Sequence, residues 1–496
     1  MSVTTRPRAS IISVFGLLAA LVACSEATSP PGNASVSGAG SGTTAGAPTG
    51  ASGEAHAANG GVTSSNAGGT SGAGSGATPG GGSGGEAPFE EGTGELARSS
   101  DDFVDIIGVN GHLNYDDTVY TNLFESAIVP RVTELGIRNW RDALSPHDVV
   151  VERQRRLAEV GVRFTLIVHD LDVAVTLAET KKALPYMQAI EGPNELDHGF
   201  RNGLPAYPDA STRTYEGVGF PGVVAAFQND LYAAIKGDPA TQQLSVVMAG
   251  FSFPDNTLDV GLVEGCDCGN THSYPDGGLP TFRLDDWYIP RMQVNSGPDK
   301  PLCATETGYH NTPAPNGSHW IPPVSERAAA KYQLRLLFEY FNRNFQKVFF
   351  YEFADLAFST EAADLNFGLV KSDGTPKMQF NALRNLIQIL GDAGPTFRSS
   401  RLDYDISPSV PELQHTLLQK RDGSFYLALW LNRLSFDRDA KQDLEFEHEA
   451  TLTLKTPVTG VKQYRPLESA DATQLGQVQS VALRIPDHPL IVRVQR

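Results

Sequence analysis

The chain has 496 residues, among them 49 glycines, 32 prolines and four cysteines, and a formal charge of −18. That length allows a large core and two to four domains. The acidity excludes a partner held by its phosphate backbone, because nucleic-acid binders display a basic footprint. The glycine is unevenly spread: 21 of the 49 lie between Ser25 and Ser100. No aromatic residue occurs between Phe15 and Phe89, and between Ala27 and Gly85 the only acidic or basic residue, histidine aside, is Glu54. Such a stretch cannot bury enough apolar surface to offset its ordering entropy. Residues 24–100 are therefore expected to form a flexible tether, with its ends about 45 Å apart.

Ahead of the tether, Arg6 and Arg8 precede a short apolar run, Ile11 to Val22, too brief for a membrane span. The run ends in Leu21-Val22-Ala23-Cys24, which resembles the lipobox of bacterial lipoproteins. The resemblance implies that residues 1–23 are an export signal and that the Cys24 thiol is acylated. It also implies a lipid anchor in the cell envelope, and Ser25 after the cysteine favours the outer membrane. Which side of that membrane the protein faces stays open. In an oxidising compartment the remaining Cys266, Cys268 and Cys303 make one disulfide and one free thiol, with Cys303 able to pair with either of the others. Cys266 and Cys268 stand too close for the usual zinc spacing, so no metal is expected.

From residue 105 short apolar runs alternate with helical patterns. Strands are predicted at 105–112, 136–141, 163–168, 186–192, 244–249, 270–274, 301–306 and 347–352. Ser145-Pro146 reads as the cap and first residue of the helix after the second strand. Val224, Phe227 and Leu231 mark one face of a helix over 223–235. Ser325 caps a long helix through Phe341, and a last helix runs from about 376 to 390. Eight strand–helix units imply a parallel sheet with right-handed crossovers. At this length they fit an α/β fold, a (β/α)8 TIM barrel over residues 101–395. Gly108-Val-Asn-Gly111 does not complete a dinucleotide-binding turn, and no cofactor is expected. After residue 396 the runs 425–430, 450–454, 481–485 and 490–494 alternate with turn residues. They predict a C-terminal antiparallel β-sandwich over 396–496.

Active sites of such barrels lie at the C-terminal ends of the strands. Strand four ends in Glu191-Gly-Pro-Asn194-Glu195-Leu-Asp197, and strand seven in Thr305-Glu306-Thr-Gly308. Two glutamates at one mouth suit retaining glycoside hydrolysis, in which one protonates the leaving oxygen and the other attacks the anomeric carbon. The sequence over residues 101–391 resembles clan A of the glycoside hydrolases, nearest to families 5 and 39. By that resemblance Glu195 is the acid/base, Asn194 binds the sugar 2-hydroxyl and Glu306 is the nucleophile. His272-Ser-Tyr274 resembles the clan's strand-six His-x-Tyr, whose tyrosine contacts the nucleophile. Arg141 stands where the clan keeps an arginine against that carboxylate. Tyr351-Glu352-Phe353 departs from the tryptophan that many family 5 members carry after strand eight.

His112, His169 and Asp170 also fall at strand ends, where, with Tyr351, they are candidates to line the sugar pocket. Trp140 and Trp287 read as packing. The loops 197–222 and 308–323 are long enough to shape a substrate cleft. The expectation is a monomeric hydrolase of β-linked glycans. Its rivals are an inactive, carbohydrate-binding surface lipoprotein and a transglycosylase built on the same residues.

Overall fold

The computed structural model describes residues 93–198, 213–312, 321–356 and 365–496. The expected signal, Cys24, residues 24–92 of the expected tether and parts of both long loops lie outside them. Eight parallel strands form the barrel: β1 (Ile107–Asn110), β2 (Asn139–Ala143), β3 (Arg163–Ile167), β4 (Met187–Glu191), β5 (Ser245–Val247), β6 (Gly269–His272), β7 (Leu302–Thr307) and β8 (Phe345–Phe350). β1 pairs with β2 on one side and β8 on the other. Pairing continues through β3, β4 and β5 one way and through β7 and β6 the other. The ring closes between β5 and β6 by a parallel bridge from Val247 to Cys268 and a bond from the Met248 N–H to the Cys268 carbonyl, 2.9 Å. Strands covered on both faces read as short apolar runs, as in Arg163–Ile167 and Phe345–Phe350, whereas Asn139–Ala143 and Gly269–His272 are largely polar and were legible from the strand–helix alternation.

The differences from expectation are local. The second strand begins at Asn139, because Gly136 adopts φ +70° to end the helix Val129–Leu135. Ser145-Pro146 does not open the next helix. That helix runs Asp148–Ala158 with His147 as its cap residue, and the Ser145 hydroxyl accepts from the His147 N–H ahead of it. Ser325 does cap the helix Glu326–Asn342, accepting from the Ala328 N–H.

The last hundred residues form β9 (Tyr404–Ser407), β10 (Leu413–Gln419), β11 (Phe425–Leu431), β12 (Glu447–Leu454), β13 (Gly460–Tyr464), β14 (Thr473–Gly476), β15 (Ser480–Pro486) and β16 (Leu490–Gln495). β9, β12 and β15 make one antiparallel sheet, and β14, β13, β16, β11 and β10 run in order through the other. Their alternate residues meet in a core of Leu427, Leu452, Leu483, Ile485, Val492 and Val494, the pattern of a sandwich. The expected tether ran to residue 100, but Glu95–Leu96 pairs with Arg401–Leu402, and Arg98–Ser99 adds to β10. The folded part therefore starts before the barrel does, with strands that belong to the sandwich.

Sandwich and barrel share a seam. The helix Glu326–Asn342, between β7 and β8, is buried from Ala328 to Phe341. On it Phe338 stacks on Phe103 at 4.3 Å and lies against Trp430 of β11 at 5.4 Å. Cys268 and Cys303 form a disulfide that ties the starts of β6 and β7, across 35 residues of chain. Cys266 is the free, buried thiol, pushed up to about 11 by burial. Among the described residues no helix is long and apolar enough to cross a membrane.

Candidate active site

At the C-terminal ends of the strands the polar side chains converge on Arg141, from β2, which is 2% exposed. A guanidinium has five N–H donors, and Arg141 uses all of them. Nε and one Nη2 N–H grip the two oxygens of Glu191 at 2.7 and 2.8 Å; Nη1 reaches Asn110 Oδ1 and Glu306 Oε1, both at 2.8 Å; the last Nη2 N–H meets Asn194 Oδ1 at 2.7 Å. Glu191, at the end of β4, also accepts from Asn270 Nδ2 and Thr305 Oγ1, each at 3.0 Å. The fork-on-fork pair makes Glu191 the fixed counter-ion beneath the site.

Glu306, on β7, divides its two oxygens. Oε1 takes Arg141, and Oε2 takes the Tyr274 hydroxyl at 2.8 Å. Burial pushes this carboxyl up, but the His272 imidazolium, Arg141 and the Tyr274 bond outweigh it and hold Glu306 below the ordinary carboxylate value. Tyr274 keeps its proton, pushed far up by burial and by the charge of Glu306. Glu195 lies in the turn after β4, and its Oε1 accepts from His272 Nδ1 at 2.6 Å. Burial alone would lower the His272 value, but the two glutamates raise it above the ordinary 6.5. Oxygens of Glu195 and Glu306 and a ring nitrogen of His272 all lie within 4.8 Å of one another. Their side chains are 20% and 11% exposed, so both carboxylates reach the edge of the cleft. Those three donor types suit a metal, but the same atoms are already engaged by Arg141, Tyr274 and each other.

The structure thus brings together Glu195, Glu306, Asn194, Arg141, His272 and Tyr274. His112 and Tyr351 form the adjoining wall. The His112 ring stacks on Tyr115 at 4.3 Å and meets Tyr351 edge-on at 5.5 Å, and its Nε2 is 3.3 Å from Glu352 Oε2. Burial drops His112 to about 4, so it is neutral at pH 7. Glu352 is fully buried and also receives the Tyr120 hydroxyl at 3.2 Å. His169 is not in this group: its side chain is 71% exposed, its ring faces Asp170, and its carbonyl accepts from Arg213. Trp140 and Trp287 pack as expected, the first donating to Asp142 and lying on Phe353, the second donating to Asp255. Sequence reasoning passed over Glu191, Asn110 and Asn270. For Glu191 the one available signal was a carboxylate at the last position of a strand.

No family profile and no curated protein sequence matches the chain. Among solved structures it is similar to a family 39 glycoside hydrolase from the gut symbiont Bacteroides cellulosilyticus WH2, with a TM-score of 0.54 and 12% identity over 81% of this chain and 83% of that one. It is also similar to a Bifidobacterium dentium β-glucuronidase (TM-score 0.41, 18% identity, 58% of this chain and 46% of that one). A family 128 endo-β-1,3-glucanase from Amycolatopsis mediterranei, in complex with laminarihexaose, gives a TM-score of 0.38 at 13% identity over 56% of this chain and 98% of that one. The first of these carries the fold, a (β/α)8 barrel with a C-terminal β-sandwich.

Proposed function

We propose that this protein is a retaining glycoside hydrolase of β-linked glycans. The observation that carries the reading is the approach of the Glu195 and Glu306 carboxylates to within 4.8 Å across the barrel mouth. Retaining enzymes hold the pair about 5–5.5 Å apart, while inverting enzymes need roughly 6.5–9.5 Å to admit a water. Glu306, kept ionised by Arg141 and His272 and oriented by Tyr274, attacks the anomeric carbon. Glu195, protonated for this step on the oxygen that His272 does not hold, gives that proton to the departing glycosidic oxygen. A water then attacks the glycosyl–Glu306 ester, Glu195 takes the water's proton, and the sugar leaves with its configuration retained. Asn194, held by Arg141, faces the sugar 2-hydroxyl. The test uses Glu306→Ala with aryl β-glycosides carrying an activated leaving group. Turnover should vanish, and added azide should restore it with a glycosyl azide of inverted configuration as product. Undiminished hydrolysis by the variant would refute the assignment.

The lipobox-like Leu21-Val22-Ala23-Cys24 supports a second part of the proposal, an exported lipoprotein anchored through Cys24. Labelled palmitate should enter the wild type and not Cys24→Ser.

A further inference from the structure

Glu195 sits at φ +47°, in the left-handed region that a side chain rarely adopts. Such a conformation is strained and persists only where its surroundings over-determine it. Main-chain pairing helps: the Glu195 N–H donates to the Gly250 carbonyl at 3.1 Å, within a parallel bridge of Asn194 to Gly250. This pairing depends on the segment after β5 staying in place. That segment also backs the histidine that bonds Glu195. A Cβ added to Gly250 would stand 2.3 Å from His272 Nε2, so the bare glycine backbone is pressed against the imidazole whose Nδ1 holds the Glu195 carboxylate.

Asp197, two residues beyond Glu195, fastens this segment. Its carboxylate is 1% exposed and collects four donors from residues 252–256: the Ser252 N–H and hydroxyl and the Phe253 N–H at 3.0 Å, and Asn256 Nδ2 at 2.9 Å. A buried carboxylate engaged by four donors is rigid, because each bond lost would leave a buried polar group unsatisfied. The turn after β4 and the loop after β5 are therefore one locked unit, with Glu195 at its tip.

We infer that Asp197 is a positioning residue for the proton-transfer step: by locking residues 250–256 to the turn after β4 it holds Glu195 against His272, in line with the departing oxygen. The inference rests on the reading of Glu195 as the acid/base.

The test compares 2,4-dinitrophenyl with phenyl β-glycosides of one glycone that the wild type hydrolyses. A leaving group that departs without a proton is indifferent to a displaced acid, and a poor one is not. In Asp197→Ala the kcat/KM for the phenyl glycoside should fall by about 10²-fold or more, the usual worth of a general acid. The fall for the dinitrophenyl glycoside should stay within roughly tenfold, and the pH dependence with the phenyl substrate should flatten on its alkaline side. Asp197→Asn, which keeps one acceptor oxygen, and Asn256→Ala, which removes one donor, should show the same selectivity more weakly. They also carry the test if Asp197→Ala fails to fold. Equal losses for the two leaving groups in all three variants would overturn the inference. Glu195→Ala is the control. Selectivity there without selectivity at Asp197 defeats this inference alone. Its absence there defeats the acid/base reading and this inference with it.

Discussion

The protein buries two clusters of charge, one at the barrel mouth and one in the seam with the sandwich, and they are built differently. In the seam, Lys331 Nζ is fully buried and donates to Asp487 at 3.0 and 3.1 Å and to the Leu444 carbonyl at 2.8 Å. Ser435 completes Asp487 at 2.7 Å. Arg335, one turn on, gives an N–H group to the Leu431 and Arg433 carbonyls of the sandwich. Here charges are matched by opposite charges and main-chain oxygens, and the half-exposed Glu445 joins Lys331 from the solvent side at 2.8 Å. At the mouth, three carboxylates (Glu191, Glu195 and Glu306) share Arg141 and His272, and the two outer ones reach the cleft. Burial is common to both clusters. What sets the mouth apart is the crowding of three carboxylates on one guanidinium and one imidazole, an arrangement that can give neighbouring carboxylates different tasks.

The sharpest way to break that comparison is to remove the central cation from each cluster. Arg141→Met leaves Glu191 buried without its partner and Glu306 without its cation. We expect kcat/KM to fall by about 10²–10³-fold, the scale for losing one preorganised electrostatic partner. Stability should also fall by roughly 3–5 kcal/mol, as for a broken buried pair. Lys331→Met strands Asp487 in the same way, and denaturant unfolding should show a similar roughly 3–5 kcal/mol loss. The kcat/KM of the folded fraction should change less than about threefold, well under the scale of a lost catalytic contact. A large kinetic effect at Lys331 would mean that the seam is not merely structural. Opening the Cys268–Cys303 bridge with Cys303→Ser should cost about 2–4 kcal/mol and leave the pH profile of activity unchanged, because the bridge joins strand starts, at the far end of β7 from Glu306.

The two regions were unequally legible in the sequence. Glu195, Glu306 and the residues beside them stood at strand ends, where alternation of apolar runs and helices had already placed the mouth. Glu191 went unassigned because its meaning lies in Arg141, fifty residues earlier, and no local pattern records that pairing. Asp197 is equally silent: its four donors come from 252–256, brought close only by barrel closure. His169 stands outside the cluster for a different reason. Beyond the last paired residue of a strand the in–out alternation stops, and the turn carries this ring outward. The seam was invisible, since a helix with Lys331, Arg335 and Glu339 reads as half-solvated until a sandwich covers it. Residues 95–99 were lost to composition, a few strand residues at the end of a glycine-rich stretch.

The finest test of the comparison is acid stability, because the clusters hold histidines shifted in opposite directions. His272 at the mouth lies above the ordinary 6.5 through its glutamate neighbours. Its contribution to stability is complete below 6.5 and fades as pH rises through the folded value. His488 in the seam is driven down to about 3, first by burial and then by Lys331, Arg465 and Arg327. It is neutral when folded, so the unfolded chain binds the extra proton between pH 6.5 and about 3. Stability is therefore lost as pH falls through that window, by up to about 1.4 kcal/mol per unit. His112, at about 4, adds to the wild-type slope with the same sign, so the informative quantity is the difference between proteins. His488→Leu should remove about 1.4 kcal/mol per unit of that slope between pH 6 and 4 without altering kcat/KM, whereas His272→Asn should change the alkaline side and the activity together. Equal acid slopes in the wild type and His488→Leu would show that His488 takes up its proton while folded, and that water reaches its ring.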